Sequence, residues 1–491
     1  MLPAAAGFLV ALAGSLLGLL ASMALLRPRS AVSLGRVVWS QRYGLCAWLA
    51  VAVTVASARV WFEGRALPTV VANSAPAGAW PMFRGSLSRT GRSDNLAGPV
   101  SGGVAWSGGR GYEFFASPAV VGNWIFALGS TGDRSRLFAW SADNGELLWT
   151  ASPSGYRAAF SSPVVAGGWL ACGEGLHTTR ASRLFAFSLD RLAQGGVEAD
   201  YSTLATSSHV ECTPVFAEGR IYFNAGDDGV YCLEPKSGAQ AGLRMIWHAP
   251  GSRFPDAETA LAVANGRVYV GLGIGGEALC VLDAATGREL ARLPMPFPVF
   301  SPPAIEGNRI YVGMGRGDYQ ATGAGTGGAV TCLDLDTLET VWTVATRSPV
   351  IAAIVVDGGE VVFGTVDGEL MVLDTRGDVL RKWEARFRLL SAPAVTVDMF
   401  YLVTCDGNLT ALDRRTLARR WMVRLGAPGE YVSSPVVASG RVFVGTPTEG
   451  FVGVGEPRLT TGTELWPSRL GGPGRAGAAD DSMIPSEVEV A

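Results

Sequence analysis

The chain has 491 residues, 48% of them hydrophobic and 17% charged, with 64 glycines, 27 prolines and a formal charge of −3. The apolar fraction excludes disorder, the absence of a Gly-X-Y period excludes collagen, and the mild acidity excludes a general nucleic-acid partner. Glycine at about twice its usual share of roughly 7%, among Val, Phe and Trp, points to many short strands joined by tight turns.

The N-terminal part differs from the rest. Residues 1–62 carry Arg27, Arg29, Arg36, Arg42 and Arg59 and no acidic residue. The uncharged run from Leu2 to Leu26 is long enough for a bilayer core of ~30 Å. A second uncharged run, about 43–58, lies between Arg42 and Arg59, whose side chains can snorkel, with Trp61 at the interface. The basic loop between them belongs in the cytoplasm, so residues from 63 onward are expected outside. A second reading starts at Met23, with 27–42 as a basic n-region, 43–55 as an apolar h-region and Ala56-Ser57-Ala58 as a cleavage site. Either way the large domain is exported, to the periplasmic side of a bacterial inner membrane. Leu45 immediately before Cys46 spoils a lipobox. Residues 63–78 read as a linker.

A repeat starts at residue 117. Each unit opens with a short polar residue, Pro and two or three apolar residues, as in Ser117-Pro118-Ala119-Val120, Ser162-Pro163-Val164-Val165, Thr213-Pro214-Val215-Phe216 and Ser434-Pro435-Val436-Val437. Further copies sit at Pro303 and Pro393, and degenerate ones at Leu261 and Ile354. A Gly-containing turn leads to a second strand (Arg267–Val270, Arg309–Val312, Arg441–Val444). A third strand ends in Leu-Asp (Leu282-Asp283, Leu333-Asp334, Leu373-Asp374, Leu412-Asp413), and a fourth carries Trp149, Trp247, Trp342, Trp383 or Trp421. Four strands per ~45 residues is the blade of a β-propeller. Because one sheet cannot bury both faces alone, the blades must stack and close. The expectation is an all-β propeller of eight four-stranded antiparallel blades over 79–466, or seven if one copy is misread. Val104-Ala105-Trp106 supplies the outer strand of the last blade, with Thr463–Trp466 as a competing candidate. Residues 467–491, rich in Gly and Ala with Asp480, Asp481, Glu487 and Glu489, read as a disordered tail.

Asp followed by a Thr-Gly turn and a Trp in the outer strand resembles the tryptophan-docking repeat of the pyrroloquinoline-quinone-like (PQQ-like) β-propeller family. Trp80-Pro81-Met82-Phe83-Arg84-Gly85 and Arg89-Thr90-Gly91 are similar to the segment before the first blade in that family. The likeness covers roughly 79–460 and bears on fold more than on function, since the family includes quinoprotein dehydrogenases and the Bam-complex propeller lipoprotein. Trp149, Trp247, Trp342, Trp383 and Trp421 are read as docking residues that bridge blades.

Quinoprotein enzymes of this family imply a disulfide between adjacent cysteines on the quinone, a Trp on its other face, Ca²⁺ held by acidic and Asn ligands, and a catalytic Asp. Here Cys46, Cys172, Cys212, Cys232, Cys280, Cys332 and Cys405 are dispersed, with no Cys-Cys pair. No acidic run has EF-hand-like spacing, and the repeats are lean. His177, His209 and His248 fall without ligand spacing, so zinc sites and Ser-His-Asp triads have little material. Cys232 and Cys332 stand where other blades place Ala139, Ala186 and Ala411, as small buried residues. The Gly323–Gly328 run lacks the ending of a phosphate loop. No catalytic, cofactor-binding or metal residue is therefore expected. PQQ with Ca²⁺ belongs only to the alternative, a quinoprotein oxidoreductase or a small-ligand sensor using the channel.

Propeller connectivity puts the loops from fourth to next first strand, and from second to third strand, on one face. Those loops carry Tyr112, Phe114, Phe115, Tyr156, Arg157, Phe160, Phe297, Phe300, Arg386, Phe387, Arg388 and Tyr431. Aromatic and Arg side chains at a rim have the composition of a protein-binding hot spot, although some can equally plug the channel. The resulting expectation is a non-catalytic, membrane-anchored scaffold that binds an envelope or membrane protein. An envelope-assembly role rests on analogy of fold.

Overall fold

A computed structural model describes residues 97–456, apart from 159, 190–200, 237–241 and 317–326, all within the compact unit Pro68–Ala491. The expected anchor, linker, lead-in segment and tail lie outside the described residues, as do Thr463–Trp466 and most of the Gly323–Gly328 run. Among the described residues no helix is long and apolar enough to cross a membrane.

The strands form eight four-stranded antiparallel sheets. Seven are sequential, spanning 119–151, 164–208, 215–250, 262–294, 304–346, 355–384 and 394–424; we number these blades 1 to 7. Blade 8 takes Val436–Ala438, Arg441–Gly445 and Phe451–Val454 from the C-terminal side and Val104–Gly108 as its outer strand. The eight-blade count and the closure by Val104-Ala105-Trp106 are as expected from sequence. Second and third strands are buried almost throughout, whereas fourth strands such as Arg419–Arg424 alternate between exposed and half-buried positions. Middle strands have sheet on both sides and blades on both faces, which accounts for their continuous apolar runs. The turn between first and second strands is a two-residue type with both residues left-handed, as at Asn265-Gly266 (φ 51° and 69°), the geometry that matches strand twist.

Docking tryptophans fall in one column of the register. Trp149, Trp247, Trp342 and Trp421 pair with Ala139, Cys232, Cys332 and Ala411, and Trp106 pairs with Gly453 in blade 8. Each partner is small because a broad indole lies beside it, which explains the Ala/Cys alternation. The Trp247 ring covers Gly287 of blade 4, where a Cβ would come within 2.6 Å of the indole, and Trp247 Nε1 donates to the Ala284 carbonyl at 3.0 Å. Trp342 covers Gly377 and donates to Thr375, while Trp106 covers Gly145 across the closure.

Trp383 departs from this column, and its assignment as a docking residue is corrected. It pairs with Leu370, whereas the docking position of blade 6 is Arg381, opposite Val372. Trp383 is partly buried against the cluster that blades 6 and 7 share, which includes Leu370, Leu402 and Leu417. An ionic bridge stands at this junction: Arg414 of blade 7 reaches Glu360 at 2.9 Å and Asp357 at 2.5 Å, and Arg381 also pairs with Glu360.

Inside the ring, the short polar residue before Pro has a defined task. Ser434 N–H donates to Ser117 Oγ, Ser117 N–H to Ser162 Oγ, and Ser162 N–H to Thr213 Oγ1, linking blades 8, 1, 2 and 3 in series. One residue earlier, Ser433 Oγ accepts from Gly445 N–H and donates to the Ala116 carbonyl, and Ser161 Oγ acts likewise on Gly173 and Cys212. These hydroxyls satisfy buried backbone groups that blade stacking would otherwise leave bare.

Candidate functional site

The face expected to carry the inter-blade loops is real. Glu113 pairs with Ser130, Arg157 with Arg134 and Ala257 with Gly226, so three of the inter-blade loops each add a bridge to a second–third hairpin. The twelve rim residues divide into two sets. Phe114, Tyr156 and Tyr431 are enclosed. Phe114 packs on Phe138, Trp140 and Phe451, and Tyr156 bonds to Cys172 Sγ and the Gly173 carbonyl. Tyr431 donates to Ala427. They are core residues, and their assignment to a partner-binding rim is corrected.

The others reach the surface in differing degree. Phe115 and Phe160 form an edge-to-face pair at 5.1 Å, Tyr112 stands edge-on to Phe138, and Arg316 lies over Phe297. Phe300 lies against Gly273, and Arg388 is half-buried. Arg386 and Phe387 are exposed, Phe387 at 48%. Arg157 donates its backbone N–H to the fully enclosed Glu174, which Arg183 holds by two bonds of 2.7 and 2.9 Å. That buried charge is thereby paired.

The same face holds a cluster that sequence spacing hid. His177 sits in the second–third loop of blade 2, His209 and Glu211 in the loop from blade 2 to blade 3, and Glu258 in the loop from blade 3 to blade 4. Glu258 Oε1 lies 2.5 Å from His177 Nδ1 and 2.8 Å from His209 Nε2. One ligand atom from each of the four residues falls within 4.8 Å of the rest. The reading of the histidines as lacking ligand geometry is therefore corrected for His177 and His209. His248 behaves as strand packing, stacked on Tyr231 at 4.0 Å.

Electrostatics in the cluster are strained. Burial pushes Glu211 up to about 7, with His209 offsetting part of the effect. Burial works against charge on His209, but the hydrogen bond to Glu258 and the nearby Glu211 hold it above the usual imidazole value. Burial and the Glu258 charge raise Asp256, which stands behind Glu258. Asp256 in turn accepts the Ile274 N–H.

Among the described residues the cysteines are buried and form no disulfide. The fold and site define a closed eight-bladed propeller with tryptophan-docked blades and a loop-rich face.

A family model described as outer membrane protein assembly factor BamB matches residues 35–252, 244–327 and 314–486, and the chain belongs to that family. Among curated relatives it is similar to quinohemoprotein alcohol dehydrogenase ADH-IIG of Pseudomonas putida, 27% identical over 36% of this chain and 25% of that protein. It is also similar to BamB of Burkholderia pseudomallei, 29% identical over 34% of this chain and 41% of that protein. The chain thus spans less than half the length of these relatives. Two solved structures share the fold. The quinohemoprotein alcohol dehydrogenase of Comamonas testosteroni has a TM-score of 0.60 and 13% identity, covering 81% of this chain and 84% of that one. BamB of Moraxella catarrhalis has 0.51 and 14%, covering 69% and 93%.

Proposed function

We propose that this protein is a non-catalytic, membrane-anchored propeller on the periplasmic side of a bacterial envelope, binding a protein partner through the face that carries the inter-blade loops. The observation that carries the reading is membership of the BamB family over most of the chain. The exposed Arg386-Phe387 pair on that face supports it, since an aromatic beside Arg is the composition of an interface anchor. The dispersed, buried cysteines favour a scaffold over a quinoprotein.

The test places a photo-crosslinking residue at Phe387 in the full chain, in cells, with Val397 as control. Val397 is 65% exposed in a first–second turn, at the opposite end of its blade. One discrete adduct from position 387, absent from 397 and lost on Arg386→Ala, is expected. Equal labelling from both positions overturns the choice of face. Saturable binding of PQQ with Ca²⁺, accompanied by dye-linked alcohol oxidation, overturns the non-catalytic reading.

A further inference from the structure

We propose that His177, His209, Glu211 and Glu258 form a binding site for one divalent transition-metal ion of the zinc class, which staples three loops on one face of the ring. The donor set is the first argument. Two imidazole nitrogens and two carboxylates suit zinc and its neighbours, whereas calcium and magnesium prefer oxygen alone. Geometry is the second. Tetrahedral ligands at about 2.0–2.1 Å from zinc stand roughly 3.3 Å apart, and the four ligand atoms here all lie within 4.8 Å of one another. Small side-chain rotations bring them to that spacing.

The surroundings are those of a ligand site. His209 Nδ1 lies 3.2 Å from Ser208 Oγ, which can accept a hydrogen bond from Nδ1–H in the tautomer that leaves the Nε2 lone pair free. Glu211 Oε1 is buried with no hydrogen-bond partner, an arrangement that costs about 1–3 kcal/mol unless something occupies its lone pairs. Asp256 backs Glu258 from outside the four, as carboxylate-supported ligands commonly are. The count of carboxylates against two imidazoles leaves the pocket short of positive charge.

Without metal, the short contacts from Glu258 Oε1 to His177 Nδ1 and His209 Nε2 are hydrogen bonds that need a proton on nitrogen. A cation replaces them, and each imidazole binds through a bare nitrogen: a neutral ring moves its proton to the other nitrogen, while a charged ring releases one to solvent. His177 is 69% exposed at its side chain, so an entry path from solvent exists and the loops need not unfold. The ion would join the second–third loop of blade 2 to the loops flanking blade 3, adding to the backbone bonds by which Val210 N–H donates to the Glu174 carbonyl and Gly226 pairs with Ala257. This inference is independent of the protein-binding reading.

The experiment titrates Zn²⁺, Co²⁺ and Ca²⁺ into the full chain in detergent, freed of any histidine tag, by calorimetry in two buffers of different protonation enthalpy. One Zn²⁺ per chain is expected, with proton release, a tetrahedral Co²⁺ spectrum and a raised melting temperature. Affinity should fall at least tenfold in each of His177→Ala, His209→Ala and Glu258→Gln. The exposed His177→Ala variant should melt unchanged without metal, which separates ligand loss from misfolding. His177→Ala with His209→Ala leaves His248 as the one histidine of the chain. Undiminished Zn²⁺ binding by that double variant overturns the proposal, as does no stoichiometric Zn²⁺ binding by the native chain, or Ca²⁺ binding of equal strength.

Discussion

Replacing Trp247 tests whether the docking column holds the ring together. The indole is 8% exposed, lies over Gly287 of the next blade, contacts Tyr222 at 6.0 Å and donates to Ala284. Trp247→Ala removes a buried ring that the adjacent glycine cannot fill, a loss of about 3–5 kcal/mol. Trp247→Phe keeps most of the ring and loses only the hydrogen bond. The Ala284 carbonyl still accepts from Tyr222 Oη at 3.2 Å, so it is not orphaned, and the polar part of the cost is about 0.5–1.5 kcal/mol. With an unfolding entropy of about 2.1 cal/mol/K per residue over roughly 360 residues, the Ala variant should melt about 4–7 °C lower. Calorimetry reads this without relying on tryptophan emission. Trp383→Ala, outside the column and only partly buried, should cost less than half as much. Equal losses at 247 and 383 would refute the register argument, and a loss below about 1 kcal/mol at 247 would refute docking.

Three further outcomes follow from the same contacts. Ser433→Ala leaves Gly445 N–H and the Ala116 carbonyl without partners at the closure, so stability should fall by about 1–3 kcal/mol, with faster hydrogen exchange along Val104–Gly108 and Phe451–Val454. Phe114→Ala should destabilise by about 3–5 kcal/mol, whereas Phe387→Ala should leave the melting point within the ~0.5 kcal/mol typical of surface changes. Burial pushes the Cys172 and Cys280 thiols up to about 12, so thiol reagents at pH 8 should label neither until the chain is unfolded. Unfolded thiols ionise first, from 9.0 upward, so the same shifts make stability fall as pH rises past 9. Rapid labelling of the native protein would contradict the buried positions.

The repeat, the turn glycines and the role of Val104-Ala105-Trp106 were legible because each is local. A two-residue turn, a buried run and a small residue opposite Trp recur at fixed spacing, and register follows from them. Other features were hidden for physical reasons. The same bulge recurs in blades 1, 3, 5 and 7, but the turn after Asp374 in blade 6 closes on Asp378, one residue sooner than the turn from Asp334 to Glu339, so the docking column falls on Arg381 and Trp383 lies two residues beyond it. A one-residue slip leaves no mark on composition. The inward turn of Phe114, Tyr156 and Tyr431 depends on which neighbour blade faces each loop. Ser117 and Ser434 read as a motif, but their bond spans 317 residues of chain and exists only once the ring closes.

Sequence by itself therefore determined the architecture of this protein: short-range hydrophobic pattern and turn chemistry are enough to specify a blade, and a blade cannot bury its faces without a ring. Tertiary structure alone decided which chemistry the ring brings together. His209 and Glu258 are 49 residues apart and belong to loops on either side of blade 3. They meet because stacked blades bring successive inter-blade loops side by side on one face, a consequence of closure that no local spacing encodes.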